Sequence, residues 1–411
     1  MSLSAQRVTD ICGRAASVLT NDKVRLVIED FAAMTPEFSY KNDEGFVNTH
    51  LVPPFRGSSC TFDENKHQDW GIKLAHELAG NFPCFPQFGN PSTERGYEIP
   101  PCGHTANADW KVERTETKGD YSFVYSTMGG EETANIFYQK YDILLKGHAV
   151  HYQVMKIKNG REETFDFGGA WHNTTGQPFI EKGCRLSASA DRYHTPIVSH
   201  DPDQNERLEL NKEFSSLKEA PGKEGAVDIS IVPGMIGYTD FLTGRIPLDA
   251  KLGWMSIINP NLNSLYLTFF KGPADIPEDE FTFYFNHIWL QYGGRNYKPW
   301  ARYDGGVDQV FALGIESGIS AWGYGLDYSD KNPLLMGNPT SLPLKSGEEK
   351  TLYHGTLIGS IGNSALDEGI DTLEAVDGGL KAQGSSETTV LAADSSFERI
   401  KEIVAEIDKS L

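Results

Sequence analysis

Short segments rich in aromatic and β-branched residues recur along this 411-residue chain, and they constrain its fold more than any other feature. Residues of these types favour β-strands, and partial alternation of apolar and polar positions is the period of a half-buried strand. The segments that we predict to be strands are 23–29 (KVRLVIE), 121–126 (YSFVYS), 149–156 (AVHYQVMK), 265–270 (LYLTFF) and 281–285 (FTFYF).

Turn signals separate these segments, whereas helical stretches between them are scarce. Gly129-Gly130, Asn159-Gly160 and Gly293-Gly294 are examples of such signals. Strands joined by tight turns pair antiparallel, while parallel strands need long crossovers. We therefore predict a mainly β protein in which two antiparallel sheets pack as a sandwich.

Periodic apolar stripes at the two ends of the chain predict helices. Near the N-terminus the stripe comprises Val8, Ile11, Cys12, Ala15, Val18 and Leu19. Near the C-terminus it comprises Phe397, Ile400, Ile403, Val404 and Ile407, preceded by Ser395 and Glu398 in a capping-box pattern. The polar segment 380–388 (LKAQGSSET) reads as a linker. We predict an N-terminal helix in residues 1–22, one β domain in residues 23–378, and a linker with a C-terminal helix in residues 379–411.

The acidic composition limits the classes of partner. The formal net charge is −20 and Lys and Arg form no cluster, so we expect no binding of nucleic acid, whose phosphates are bound through such clusters. No apolar run approaches the length of a membrane span, and the N-terminus lacks the order of a signal peptide. We expect a cytoplasmic monomer or homodimer that does not bind membranes. The acidic segment 200–225 reads as an exposed excursion.

The five cysteines predict free thiols. Cys12, Cys60, Cys84, Cys102 and Cys184 are odd in number and form no C-x-x-C pair. This pattern indicates neither a disulfide framework nor a zinc site, so we expect no metal centre.

Three segments carry ionisable side chains where chemistry could occur. His172 ends a run typical of a buried strand and precedes an Asn-Thr-Thr-Gly turn, His104 lies in a Pro- and Gly-rich loop, and Glu316 interrupts an apolar run. Each has a structural alternative, namely a bonded core histidine, a loop histidine bonded to a carbonyl, and a glutamate that faces solvent. A buried carboxylate is costly unless it is paired or used, and burial would raise its pKa towards that of a general base at neutral pH.

Taken together and in this order, the three segments resemble the aldose 1-epimerase (galactose mutarotase-like) family, and most closely its hexose-phosphate mutarotase branch. The pieces CFPQFG and GHTANADW resemble the signature "FPQFG … HGFAR … W". The run VHYQVMKIKNGREETFDFGGAWHNTTG resembles paired strands that end in "H.yf", and FALGIES resembles the late strand that ends in a catalytic glutamate. The resemblance covers residues 23–350. It implies a β-supersandwich with an open cleft, a sugar as the small-molecule substrate, and no required cofactor.

The resemblance also implies roles for the three side chains. Glu316 would take the proton of the anomeric hydroxyl, His172 would protonate the ring oxygen, and His104 would hydrogen-bond the sugar. Ring opening, rotation about the C1–C2 bond and reclosure would then interconvert the anomers. Two alternatives remain: a non-catalytic sugar-binding or regulatory module on the same fold, and a glycoside hydrolase or lyase, although hydrolysis normally needs two carboxylates.

Two substrate-binding candidates follow from the first motif. The family arginine that precedes "FPQFG" has no counterpart in 76–80 (HELAG), and Arg56 is its candidate replacement. Gln87 lies within the motif itself. The missing arginine leaves open whether the sugar is phosphorylated.

Further candidates lie later in the chain. The family's sugar-binding aspartate has two candidates here, Asp240 and Asp249. Trp289 and Arg295 lie in the segment HIWLQYGGRNYKPW, where aromatic rings could pack on the C–H face of a pyranose. Core and surface-loop positions are the structural alternative for this segment. After His172 the chain has Asn-Thr-Thr in place of the family's aromatic residues.

Overall fold

Antiparallel strands dominate the computed structural model, which describes residues 2–11, 13–43, 45–56, 71–93, 95–274, 276–301, 308–362 and 366–411. The elements of its first part are β1 (Ser4–Ile11), β2 (Arg14–Thr20), β3 (Val24–Glu29), β4 (Glu37–Asn42), β5 (Gly45–Asn48), α1 (Lys73–Glu77), β6 (Asn81–Cys84), β7 (Lys111–Lys118), β8 (Tyr121–Met128), β9 (Ile136–Leu145), β10 (Val150–Asn159), β11 (Phe165–Phe167) and β12 (Ala170–Gly176).

The second part continues this pattern with short strands and two further helices. Its elements are β13 (Arg185–Ala188), β14 (Arg192–His194), β15 (Glu213–Phe214), β16 (Ala220–Gly222), β17 (Gly225–Val227), β18 (Thr239–Arg245), β19 (Leu252–Asn259), β20 (Ser264–Lys271), β21 (Phe285–Tyr292), β22 (Phe311–Gly318), α2 (Leu326–Lys331), β23 (Leu334–Leu335), β24 (Asn338–Pro339), β25 (Leu342–Leu344), β26 (Glu349–Ser360), β27 (Thr372–Val376), β28 (Gly379–Gln383), β29 (Thr388–Ala392) and α3 (Glu398–Asp408).

Two large sheets form the centre of the molecule. One has the strand order β13-β19-β20-β26-β10-β9-β8-β7, and the other has the order β15-β14-β18-β21-β22-β12-β6. Their facing sides share one apolar core, in which Met155 of β10 and Ile257 of β19 belong to the same cluster as Ile288 of β21 and Ile315 of β22. The predicted mainly β sandwich of antiparallel sheets is therefore confirmed.

A third layer covers the outer side of the eight-stranded sheet. It consists of the sheet β27-β28-β29 and helix α3, whose Ile400 and Ile403 are fully buried against that sheet. The predicted C-terminal helix is thus confirmed, but its predicted capping box is wrong. Asp394 accepts a hydrogen bond from the backbone N–H of Ile400 at 3.0 Å, whereas the Ser395 hydroxyl donates to a distant carbonyl.

The predicted N-terminal helix is wrong, because its residues form the hairpin β1–β2. Gly13, at φ 81°, allows the chain to reverse between the two strands. In β2, Val18 packs in one cluster and Leu19 in another, so both faces of the strand are buried. A run that is apolar on both faces does not distinguish a strand from a helix by its period.

Three further predictions about local structure are wrong. The predicted linker 380–388 contains most of β28 and begins β29, because Leu380 and Ala382 are buried in the outer layer. The predicted domain boundaries after residues 22 and 378 fall between paired strands of a single sheet, β2–β3 and β27–β28. Residues 281–284 precede β21 instead of forming a strand of their own.

The cysteines within the described ranges are free thiols, and the burial expected of such thiols is found for two of the three. Cys84 and Cys184 are buried, and Cys102 is partly buried. Cys12 and Cys60 lie outside the described residues. No helix in the described part of the chain is long and apolar enough to cross a membrane.

Candidate functional site

A row of side chains crosses the seven-stranded sheet on the face that points away from the central core. His172 on β12 lies opposite Phe82 on β6, and the register that pairs Trp171 with Ser317 brings His172 opposite Glu316 on β22. Because side chains alternate along a strand, Trp171 and Ser317 point towards the core while His172 and Glu316 point away from it. The sheet therefore brings together two residues that are 144 positions apart in the sequence.

His172 contacts Glu316 directly, and neighbouring side chains fix the position of its ring. Its Nε2 lies 3.3 Å from Oε1 of Glu316, and its Nδ1 lies 3.0 Å from Oγ1 of Thr174. The imidazole stacks on Phe82 with a centroid distance of 4.4 Å. The predicted turn after His172 is wrong, because β12 continues through Gly176. Only this extended backbone puts Thr174 on the same face as the histidine.

Burial changes the proton affinities of the pair in opposite directions. It raises the pKa of the Glu316 carboxyl well above its ordinary value, and the Cys102 thiolate adds to that rise. Burial also lowers the pKa of His172 to about 4. Both shifts disfavour the charged forms of the two groups. At neutral pH the pair therefore shares one titratable proton, which Glu316 carries. Oε2 of Glu316 is buried and has no hydrogen-bond partner among the described residues.

Gly314 gives the carboxyl group its space. It lies two positions before Glu316 on the same face of β22, and a Cβ atom there would lie 3.0 Å from Oε1 of Glu316 and 3.1 Å from Cβ of Trp289. Glycine therefore lets the carboxyl and the indole approach each other. Trp289 in turn meets the His172 ring edge to face, with centroids 6.0 Å apart.

A cavity of about 200 Å³ is lined by Trp289, whose ring contacts His172, while neither His172 nor Glu316 is among its lining residues. We call it the aromatic cavity, after its lining residues Phe241, Trp289, Tyr297 and Trp300. Part of its wall comes from segment 200–225, whose predicted exposure holds only in part, because buried residues are interspersed with exposed ones. This segment packs on the sheet because it carries apolar residues such as Leu208, which is 2% exposed.

Arg295 and Trp289 both line the aromatic cavity, where the sequence predicts substrate contacts. The Arg295 guanidinium stacks 3.3 Å from the centroid of the Trp300 ring, and its Nε donates to Asp308 at 2.9 Å. Its Nη2 has no partner within the described ranges, and neither has Oδ2 of Asp201 in the same wall. The cavity thus offers aromatic surface, an unpaired donor and an unpaired carboxyl oxygen.

Asp240 lines the same cavity, but its carboxylate oxygens already accept hydrogen bonds from other residues of the protein. Its Oδ1 accepts from the backbone N–H groups of Arg207 and Leu208, and its Oδ2 accepts from Arg207 Nε at 2.7 Å. The carboxylate therefore fixes a segment of the cavity wall. Asp249, the other candidate, is exposed and is not among the cavity-lining residues.

Arg56 and Gln87 are not brought to the aromatic cavity. Arg56 is buried, forms an ion pair with Glu29 and donates from Nε to the carbonyl of Glu77 at 2.6 Å. The Gln87 amide nitrogen donates to two backbone carbonyls at 3.0 Å, and its oxygen accepts from the N–H of Leu326. Both side chains therefore hold loops together in this structure.

Cys102, and not His104, is the residue of the first motif that lies near Glu316. A hydrogen bond from the buried Cys84 thiol of β6 lowers the pKa of Cys102, and negative charge on Cys102 raises the pKa of Glu316. His104 lines a different cavity. The spacing His172-x-Thr174 is the sequence signal for Thr174.

Within the described residues, no group of three or more His, Cys, Asp or Glu side chains is arranged to hold a metal ion. The chemistry that the arrangement itself offers is proton transfer. It combines a buried carboxyl and imidazole in contact, one free carboxyl oxygen and an adjacent aromatic cavity.

Comparison with known proteins supports the fold at low sequence identity. No protein-family model matches the chain, and no curated protein matches it. Among solved structures, one from Klebsiella pneumoniae, provisionally named an aldose 1-epimerase, has a TM-score of 0.62 at 11% identity and covers 87% of this chain and 83% of its own. A galactose mutarotase-like protein from Clostridium acetobutylicum has a TM-score of 0.58 at 14% identity, over 87% and 99% of the two chains.

A galactose mutarotase related enzyme from Lactobacillus acidophilus has a TM-score of 0.53 at 15% identity, over 85% of this chain and 99% of its own. A shared fold can host different chemistries, so these likenesses establish architecture and not activity. The chain has the galactose mutarotase-like fold.

Proposed function

We propose that this protein is an aldose 1-epimerase-like isomerase, which interconverts the anomers of an aldose by acid–base ring opening. The observation that carries the proposal is the 3.3 Å contact between Nε2 of His172 and Oε1 of Glu316, on a sheet face next to the aromatic cavity. The fold supports it, since one solved structure with this fold is provisionally named an aldose 1-epimerase and another is named a galactose mutarotase related enzyme.

Anomer exchange needs one base and one acid near a single carbon atom. The anomeric oxygen and the ring oxygen are both bonded to C1, so two groups in contact with each other can reach both. Glu316 takes the proton of the anomeric hydroxyl while His172 Nε2 gives a proton to the ring oxygen. The bond from C1 to the ring oxygen breaks and the aldehyde forms.

Reclosure reverses these proton transfers. After rotation about the C1–C2 bond, the ring oxygen attacks the other face of C1 and returns its proton to His172. The new anomeric oxygen takes the proton back from Glu316. The pair ends with the proton that it held at the start, so a cycle consumes no external acid or base.

Before the reaction, the shared proton must move from the Glu316 carboxyl to Nε2 of His172. Burial favours the uncharged form, in which Glu316 is a carboxylic acid and His172 a neutral imidazole. Transfer across the 3.3 Å contact gives the carboxylate and the imidazolium that the reaction uses. Thr174 supports the imidazolium, because its hydroxyl can accept a hydrogen bond from Nδ1–H.

The aromatic cavity binds the rest of the sugar. Trp289 and Trp300 offer rings for the C–H face of a pyranose, and Arg295 Nη2 and Asp201 Oδ2 can bond its hydroxyl groups. His104, Arg56 and Gln87 lie outside this cavity, so the proposal rests on Glu316 and His172 for catalysis.

An exchange assay by NMR tests the proposal. Pure α-glucose, α-galactose and their 6-phosphates are dissolved with the protein, and the approach to anomeric equilibrium is followed through the C1 proton. We expect acceleration of at least one of these sugars above the rate in buffer. Binding of sugars without acceleration of any would instead support the non-catalytic module, and release of reducing ends from an oligosaccharide would support a hydrolase.

A further inference from the structure

A second cavity, of about 570 Å³, is lined by residues of the loop before β7 and by the ends of β8 and β9. Its volume falls within the usual range of small-molecule sites. Its lining residues include His104, Asn107, Asp109, Glu132, Phe137 and Gln139, none of which lines the aromatic cavity. We call it the His104 cavity.

Phe137 gives this cavity an aromatic surface. The side chain is 43% exposed, although it belongs to β9 in the middle of a sheet. A Cβ atom on Gly129 would lie 2.4 Å from the ring, and one on Gly160 would lie 2.5 Å from it. The ring therefore lies over two glycines, which leave the room that it needs. Contact with these two glycines, which follow the last residues of β8 and β10, accounts for one side of the ring, and the ring also lines the cavity.

His104 contributes a buried ring nitrogen, Nδ1, that has no hydrogen-bond donor beside it. The residue is 8% exposed, and its Nδ1 has no partner in the described part of the chain. The Glu98 carbonyl favours a proton on the ring, and we assign that proton to Nε2 because Nδ1 has no partner. Burial lowers the pKa of His104, so the ring is neutral and Nδ1 carries a lone pair. A buried acceptor of this kind is costly unless a ligand donates to it.

The other polar groups favour a neutral ligand. Asp109 and Glu132 contribute negative charge, while Lys111 is paired with Glu113 at 2.8 Å. A phosphate or carboxylate would meet this negative charge and has no donor for His104 Nδ1 at neutral pH. The Asn107 amide nitrogen donates to the Pro101 and Gly103 carbonyls at 2.7 Å, which leaves its oxygen as a further acceptor.

We propose that the His104 cavity is a second carbohydrate-binding site, in which a neutral sugar packs its C–H face on Phe137 and donates a hydroxyl to His104 Nδ1. His104 Nδ1 can accept from a hydroxyl group, and the Phe137 ring can pack on an apolar face. A sugar offers both a hydroxyl donor and an apolar C–H face. The proposal does not depend on the isomerase activity, because the two cavities share no lining residue.

Methyl glycosides separate this site from the candidate catalytic site, because they lack the anomeric hydroxyl that ring opening needs. The experiment measures saturation-transfer NMR and titrations with methyl β-glucoside, methyl β-galactoside, methyl α-mannoside and the methyl β-glycosides of cellobiose, maltose and lactose. We expect binding of at least one of these probes to survive Trp289→Ala. We expect Phe137→Ala to weaken it at least tenfold and to leave anomer exchange unchanged. Phe137 is exposed, so this variant should fold, and circular dichroism checks that it does.

Two further variants test the geometry. Gly129→Ala should weaken the same binding, because its methyl group would displace the Phe137 ring. Val390→Ala, at an exposed position that lines a different cavity, should leave binding unchanged. Binding of none of the six probes, loss of all binding in Trp289→Ala, or undiminished binding in Phe137→Ala would each overturn the proposal.

Discussion

Nε2 of His172 and Oε1 of Glu316 lie 3.3 Å apart, in the row where β12 and β22 pair. The imidazole is 7% exposed and the carboxyl 1%, so water supports neither charge. The contact lets one proton pass between oxygen and nitrogen, and the aromatic cavity beside it leaves room for a ligand. The predictions below follow from this contact and from the groups that hold it.

Replacing Thr174 should slow turnover without weakening binding. Thr174→Val removes the hydroxyl that lies 3.0 Å from His172 Nδ1, which leaves the imidazolium without that partner. A lost hydrogen bond to a charged group corresponds to a decrease in kcat of about tenfold. We expect KM to stay unchanged and Thr174→Ser to restore the rate. A Thr174→Val enzyme with normal kcat would show that the hydroxyl does not position the histidine.

The rate of exchange should depend on pH through the single proton of the pair. Below the His172 pKa of about 4, a second proton binds and the base is lost. Above the raised pKa of Glu316, the pair loses its only proton and the acid is lost. Activity should therefore be flat between these limits, as measured from kcat/KM across the pH range.

Cys102→Ala should move only the basic limit of that profile. The Cys102 thiolate contributes to the raised pKa of Glu316, so its removal should shift the basic limit to lower pH. The acidic limit, which belongs to His172, should not move. Cys184→Ala is the matched control, because Cys184 is a buried free thiol that does not act on the Glu316 pKa. An unchanged basic limit in Cys102→Ala would contradict this role.

Gly314→Ala should impair catalysis while the fold remains. The added Cβ would lie 3.0 Å from Glu316 Oε1 and 3.1 Å from Trp289 Cβ, so the carboxyl must shift. Displacement of a reacting group by a few tenths of an ångström should reduce kcat about tenfold. Circular dichroism and thermal unfolding would check the fold. Full activity in this variant would mean that the carboxyl position seen here is not the one that reacts.

The protein should lose stability steeply in mild acid. Burial lowers the pKa values of His50, His287 and His354 to about 3, and that of His172 to about 4. The unfolded chain binds protons on these residues below about pH 6.5, whereas the folded chain does not. Their contribution to stability is complete above that pH and falls as the pH decreases towards 4.

Each of these four histidines lowers the unfolding free energy by about 1.4 kcal/mol for each pH unit below about 6.5. Glu316 acts in the opposite direction, because its raised pKa lets the folded chain keep a proton that the unfolded carboxyl releases. Glu316 therefore offsets one histidine, and the net slope is about 4 kcal/mol per pH unit. Urea unfolding between pH 7.5 and 5 measures this slope. Equal unfolding free energies at both ends of the range would contradict the burial of these rings.

Most of the sandwich could be predicted from the sequence, because aromatic and β-branched segments such as 121–126 and 265–270 carry a clear strand pattern. The N-terminal hairpin could not, since β2 is buried on both faces and its apolar positions therefore lack the period of two. The third layer was also missed in part, because the small residues of β28 resemble those of a linker.

The candidate site, like the fold, could be predicted only in part. His172 and Glu316 could be found, because polar residues in buried strands are conspicuous. Thr174 was assigned to a turn, and its role depends on the strand that places it beside the histidine. The sequence does not show whether the Asp240 carboxylate is free to bind a ligand. Its partner Arg207 is 33 residues away and contacts it only in the folded chain.

The rate of anomer exchange in Glu316→Gln tests the central claim most directly. Glutamine keeps the size and most contacts of the side chain but cannot accept the proton of the anomeric hydroxyl. Glu374→Gln, at an exposed side chain on the outer layer, is the control for the change of charge. We predict that Glu316→Gln returns α-glucose or α-galactose to the exchange rate of buffer, while wild type and Glu374→Gln accelerate it. Equal acceleration by Glu316→Gln and wild type would contradict the assignment of Glu316 as the base.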